Sequence, residues 1–300
     1  MKITKETLLI IVAFFAIYVI WGSTYLLNKI AVSDIPPLFL SSIRFTIAGV
    51  IIFIIAKFLK IPLLVTKKQL GNNALAGFLF LVYGNGVFVW SLRYVDSGFA
   101  ALEASSLPLV VLILMRIIHK KKIQKMALVG VLLGLVGIYL LVSQQQITTG
   151  ENSLLGVVMI ATCIVSWAFA SIFVSKADLH KSYFVNSGYQ MLCGGILLAA
   201  FSLIVGETWT SPYDWKPLTF NIMILLIVFG SIVAFTAFNF LLQKVSPEKV
   251  STSSYVNPLI AMLLGWYVLD ENISLQSIIA ALILLLGVYF INSSKNSKKA

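Results

Sequence analysis

Apolar residues run along this chain in long blocks rather than in alternation, and short polar gaps separate the blocks. The first five blocks are Leu8 to Leu27, Leu38 to Ala56, Ala74 to Leu92, Gly98 to Ile118 and Met126 to Val142. The second five are Leu154 to Val174, Tyr183 to Val205, Phe220 to Leu242, Val250 to Leu269 and Leu275 to Ile291. A helix needs roughly 17 to 25 residues to cross a hydrocarbon core, about twice what a tilted barrel strand needs. Lipid offers the backbone no hydrogen-bond partner, so blocks of this length must close their own N–H and C=O groups as helices. The pattern predicts an all-α integral membrane protein of ten transmembrane helices.

Basic residues in the gaps predict orientation, because Lys and Arg concentrate on the cytoplasmic side. With the N-terminus inside, eighteen of the 22 fall in cytoplasmic segments, including Lys57, Lys60, Lys120, Lys122, Lys244 and Lys249. Only Lys29, Arg93 and Lys216 fall opposite, and Arg44 lies within the second block. Both termini are expected in the cytoplasm. Lys2 and Lys5 before an apolar stretch imitate a secretion signal, but no small-residue cleavage site follows, so Leu8 to Leu27 is read as a retained first helix.

A shift of 150 residues lays Pro108 on Pro258, Gly137 on Gly287 and Tyr139 on Tyr289, and a shift of 146 lays Trp21 on Trp167 and Gly49 on Gly195. Five crossings is an odd number, so the second copy enters the membrane in the opposite sense, the inverted-topology repeat of many transporters. The expected units are residues 7–143 and 154–292, followed by a basic cytoplasmic tail at 293–300.

Composition sharpens this without altering it. Hydrophobic residues make up 59% and charged residues 11%, with a mean hydropathy of +0.97, which places lipid rather than water around most of the surface. A net charge of +11 would suggest nucleic acid in a soluble protein. Here it belongs to topology, and nucleic acid is discounted as a partner. Cys163 and Cys193 lie in apolar blocks with no metal-ligand spacing, so no metal and no cofactor is expected. The location that follows is multi-pass, in the cell inner (plasma) membrane.

Chemistry is confined to a few positions. Arg44 and Glu103 are charges well inside apolar blocks, where a charge costs at least ~2.5 kcal/mol and marks a substrate or proton pathway by default. They lie at similar depth and could equally pair as a structural lock. Their repeat-mates, Gln190 and Ser253, are uncharged. Tyr18, Trp21, Tyr25 and Asn28 share one face of the first helix, and Tyr83, Val87 and Trp90 one face of the third. Such stripes are either cavity walls or interfacial girdles. Trp21 and its mate Trp167 are assigned to the cavity, and Tyr25 and Asn28 fit a girdle at least as well. Tyr255 and Asn257 follow a run of hydroxyls before Pro258, as Ser105 and Ser106 precede Pro108. The two prolines are read as paired hinges. Gly130 and Gly134 form a close-packing motif that could include a homodimer face.

The ordered set of Trp21-Gly22-Ser23-Thr24, Arg44, the stretch Leu92 to Leu102 ahead of Pro108, and Val245 to Val250 followed by Tyr255 and Pro258 resembles the EamA-type transporters of the drug/metabolite transporter superfamily. One departure is that an acidic position common in that family is kept as Glu271 and replaced by Lys121 in the first half. The resemblance implies helices one to four and six to nine around a central cavity, with five and ten outside. It implies secondary transport of a small-molecule substrate by alternating access, chiefly export of amino acids or similar metabolites, with import of a small metabolite or vitamin as the alternative. Arg44 and Glu103 would bias substrate charge, and Glu103 leaves room for proton coupling. The expected substrate cavity is Trp21, Arg44, Tyr83, Trp90, Glu103, Trp167, Gln190, Tyr255 and Asn257. An intramembrane enzyme is the rival class, alongside a non-transporting assembly factor. Against the enzyme, His119 and His180 both lie in loops, and no phosphate-binding glycine loop or zinc-protease motif is present.

Overall fold

The computed structural model describes residues 4–94, 100, 103–120, 122–143, 153–269 and 274–293, all of whose regular structure is helical. The motif residues 95–99, 101 and 102, together with Lys121, Glu271 and the tail beyond 293, lie outside the described residues.

The longer helices among the described residues, in chain order, are α1 (Lys5–Ala31), α2 (Pro37–Phe58), α3 (Lys67–Ser91), α4 (Leu107–His119), α5 (Lys125–Val142), α6 (Ser153–Val174), α7 (Tyr183–Ile204), α8 (Pro217–Lys244), α9 (Ser253–Leu269) and α10 (Leu275–Ser293), with single turns at Pro212–Asp214 and Pro247–Val250. Among the described residues, seven of these, α1 to α3, α6 to α8 and α10, are long and apolar enough to cross a membrane. Helices α4 and α5 are shorter apolar segments.

Their ends carry the expected chemistry. The Thr4 side chain caps α1 by accepting from Thr7 N, and Thr66 and Gln69 form a reciprocal capping box at the start of α3, which satisfies donors that the helix itself cannot. Helices α2, α4 and α8 have proline in the first or second position, where its missing N–H costs nothing. The start of α2 is capped from a distance: the Glu207 carboxylate accepts from Leu38 N at 3.2 Å and Phe39 N at 2.8 Å. Gly206, at φ +76°, makes the turn that brings it there.

Helix α2 packs along α7, and α5 along α10. Both seams are glycine contacts. A Cβ on Gly49 would sit 2.9 Å from Leu192 N, and one on Gly195 2.7 Å from Thr46 N, while one on Gly130 would lie 2.6 Å from Gly287 O. Backbones approach this closely only where side chains are absent. Gly134, the other half of the close-packing motif, receives the ring of Tyr255, whose Cζ would be 2.1 Å from an added Cβ. That glycine face of α5 is therefore filled within the chain.

Two helices depart from α geometry in matching places. Residues Phe78–Val87 of α3 and Leu226–Val233 of α8 are π-helical. Widening the helix frees carbonyls from the i−4 ladder, and side chains take them up. Ser166 Oγ donates to Leu79 O at 2.8 Å, Cys163 Sγ to Tyr83 O at 3.2 Å, and Trp21 Nε1 to Gly230 O at 3.2 Å. The fourth and ninth runs are also alike. Each is interrupted by a turn, at Ser105–Ser106 and Ser251–Thr252, before its helix begins.

Candidate functional site

A cavity of about 150 Å³ lies among the helices of the bundle. By volume it has room for on the order of ten waters. Helix α1 contributes Trp21, Thr24, Tyr25 and Asn28, α2 contributes Arg44 and Phe45, and α3 contributes residues from Leu81 to Val89, Asn85 among them, with Leu92 just past its end. Helices α4, α6, α8 and α9 complete the wall with residues such as Leu107, Trp167, Gly230 and Asn257. Helices α5, α7 and α10 supply none. The lining residues come from the second half of α1, the first half of α2 and the second half of α3, so the cavity occupies the end of the bundle where α1 finishes and α2 begins.

Below it the bundle is solid. Trp21 and Trp167 meet with ring centroids 5.7 Å apart, and Phe238 packs on both at 5.0 and 5.7 Å. Phe80 lies edge-on to Trp167 at 4.9 Å and to Phe238 at 5.5 Å. Edge-to-face rings at these separations attract beyond the area they bury. Farther along, Asn239 Nδ2 donates to Gln190 Oε1 at 3.0 Å and to Ser187 Oγ at 3.1 Å. Gln190 Nε2 donates to Asn73 Oδ1, and Asn73 Nδ2 to Asn186 Oδ1. This buried amide chain ties α3, α7 and α8 together on the closed side.

Arg44 is 4% exposed. Its Nε donates to Ser231 Oγ at 2.7 Å, its Nη1 reaches Asn28 Oδ1 at 3.5 Å, and its guanidinium carbon lies 4.9 Å from the Phe45 ring centre. A Cβ on Gly230 would come within 2.8 Å of Nη2, so a side chain there would push the guanidinium from its place. No ion pair joins Arg44 to Glu103 among the described residues. Glu103 is partly buried within electrostatic reach of Cys163, and its Oε2 has no hydrogen-bond donor among the described residues.

Of the nine expected cavity residues, Trp21, Arg44, Trp167 and Asn257 stand in the wall, and Glu103 stands beside it, next to the lining residue Ala104. The other four are placed elsewhere. Gln190 is held in the amide chain. Tyr255 is fully buried against α5, its hydroxyl 3.4 Å from Val131 O. Tyr83 faces α6 and donates to Thr162. Trp90 lines a separate polar recess with Arg93 and Glu207. Helical spacing puts residues on one face but does not say what that face meets, and for these four it meets protein or the bundle surface.

Tyr25 and Asn28, which fitted a girdle equally well, line the cavity. Asn85 and Gly230 also line the cavity, and Ser231 holds Arg44 there. The polar Gly84-Asn85-Gly86 and Gly230-Ser231 breaks in otherwise apolar runs were the available signal. Pro108 is in the first turn of α4, whereas Pro258 is interior to α9. The Ser254 carbonyl that Pro258 releases accepts from Ser105 Oγ at 2.9 Å, which links the two interrupted helices.

Comparison with known proteins agrees with this arrangement. A model of the EamA-like transporter family matches residues 8–143 and again 154–293. YedA of Escherichia coli, named an uncharacterized inner membrane transporter, is 34% identical over 286 residues, covering 94% of this chain and 90% of its own. YoaV of Bacillus subtilis, named an uncharacterized transporter, is 23% identical over 278 residues, covering 91% and 93%. One crystal structure of a protein superposes with a TM-score of 0.77 at 18% identity, over 93% of this chain and 94% of that one.

Proposed function

Since the chain belongs to the EamA-like transporter family and is a multi-pass inner-membrane transporter rather than an enzyme, we propose that it is a secondary carrier that exports amino acids or similar small metabolites by alternating access. In this reading it crosses the membrane ten times as two five-helix halves of opposite orientation, with both termini in the cytoplasm. The cavity then faces outward, and the aromatic cluster and amide chain close the cytoplasmic side.

The observation that supports this best is the cavity itself, walled by residues from both halves and blocked below by Trp21 and Trp167, which are equivalent positions of the two halves. A site between two such units opens to either side when one rocks against the other. Ser105 and Ser254 join the interrupted helices at the place where bending would occur. Glu103, a carboxyl beside the cavity with one oxygen unpartnered among the described residues, is the group through which proton movement would be coupled.

Purified protein in proteoliposomes, loaded with a mixed pool of labelled amino acids and related metabolites, should show saturable counterflow of at least one of them. Absence of any saturable flux from folded protein sinks the carrier reading. In cells, deletion should sensitise growth to the exported compound or a toxic analogue.

A further inference from the structure

The Arg44 guanidinium carries five N–H donors, and the protein uses few of them. Nε–H goes to Ser231, and one Nη1–H reaches Asn28 at 3.5 Å, the limit of a hydrogen bond. The other three have no acceptor among the described residues. No lining side chain of the cavity is acidic, and Arg44 is its one cationic lining residue among those described. A buried guanidinium without a counter-charge is strongly unfavourable, yet Ser231, Asn28 and Gly230 are arranged to hold it at the cavity wall rather than let it extend outward.

Resting on the carrier reading, we infer that the cavity selects monocarboxylates, the carboxylate forking onto Nη1 and Nη2 of Arg44 while Ser231 fixes Nε. A planar carboxylate matches the guanidinium edge with two parallel hydrogen bonds. One guanidinium neutralises one charge. A dianion such as a phosphate monoester would keep an uncompensated charge in a low-dielectric site, and a cation would meet Arg44 with no lining carboxylate to offset it. Tyr25, Phe88 and the Trp21–Trp167 pair present apolar faces to the rest of the molecule, so the body of the ligand is apolar, and the volume suits on the order of ten non-hydrogen atoms.

Acid and amide pairs of one shape isolate the charge. Hexanoate with hexanamide, phenylacetate with phenylacetamide, and L-phenylalanine with its amide are titrated into the purified full-length protein, followed by tryptophan fluorescence, to which Trp21 and Trp167 contribute. At least one acid should bind at least about 30-fold more tightly than its amide, the scale expected for a buried charge pair. Arg44→Gln should abolish that preference, and Arg44→Lys, which keeps the charge and loses the fork, should retain part of it. The wild-type comparison stands even if a variant does not fold. An amide that binds as tightly as its acid, a preference that survives Arg44→Gln, or failure of all three acids to bind at tens of millimolar overturns the inference. Saturable vesicle flux of a neutral or cationic compound with the acids excluded overturns it while leaving the carrier reading intact, whereas no flux of any compound removes the carrier reading itself.

Discussion

At the scale of single residues, Arg44 is oriented from a neighbouring helix. Ser231 belongs to the π-helical part of α8 and accepts from Nε while donating to Leu226 O. A hydrogen bond to a charged group is worth about 1.5 to 3 kcal/mol, so Ser231→Ala should lower the thermal midpoint in detergent by a corresponding amount. An unchanged midpoint would mean that Nε has found another acceptor. Glu207 is a second single-residue device, joining the connection after α7 to the first turn of α2. Glu207→Ala should destabilise by about 1 kcal/mol as a lost cap, and Gly206→Ala by about 1 to 2 kcal/mol because a Cβ is strained at positive φ. Both are readable as shifts in unfolding midpoint. Asp34 lies in the connection between α1 and α2. The hydrogen bond from Lys216, followed by that from Thr219, holds its carboxyl below the usual carboxylate range. A depressed folded-state pKa stabilises above the unfolded value of about 3.9 and loses that contribution as pH falls through the folded one. Asp34→Asn should therefore be less stable than wild type near neutral pH and lose less on acidification, the two profiles converging at low pH; profiles that stay parallel down to low pH would sink this reading.

At the scale of elements, the decisive feature is where glycine lets helices touch. Gly134, in the close-packing motif of an apolar block, meets the Tyr255 ring, whereas Gly71, in a polar stretch at the start of α3, meets nothing within 4 Å. Gly134→Leu should displace Tyr255 and cost on the order of 3 kcal/mol or more through overpacking, seen as aggregation on size-exclusion chromatography. Gly71→Leu should leave the elution profile unchanged. The π-helical segments belong to the same scale. Block length predicts a helix through Ala74 to Leu92 and is blind to a local change of pitch, because the residue types that tolerate it also fit an α-helix. The freed carbonyls and their acceptor roles become visible only with the neighbouring helix in place.

At the scale of the whole molecule, one end is hollow and the other is packed. In a background with Cys163→Ala and Cys193→Ala, Tyr25→Cys at the cavity wall should react with a membrane-impermeant maleimide added from the periplasmic face, and Leu241→Cys, fully buried beyond the aromatic cluster, should not. Asn239→Leu removes the donor that bridges Gln190 and Ser187. It should loosen the closed side, and Leu241→Cys should then become reactive from the cytoplasmic face. Equal protection with and without Asn239→Leu would assign the amide chain to helix packing alone.

The sequence by itself determined that the chain is a bundle of membrane helices, because block length and backbone hydrogen bonding leave no other solution in lipid. It also marked Arg44, Trp21, Trp167 and Asn257, each a polar or large aromatic residue out of place in an apolar run. The tertiary structure decided which of the marked residues share a cavity. Gln190, Tyr83, Trp90 and Tyr255 carry the same local signal as those four, but Gln190 and Tyr255 are buried against neighbouring helices, Tyr83 meets Thr162 at the bundle surface, and Trp90 lines a separate polar recess. Arg44 drew the same distinction most sharply. Its buried charge was legible from position alone, while its partners, Asn28 on α1 and Ser231 on α8, are 16 and 187 residues away in the chain and meet it only because the helices pack.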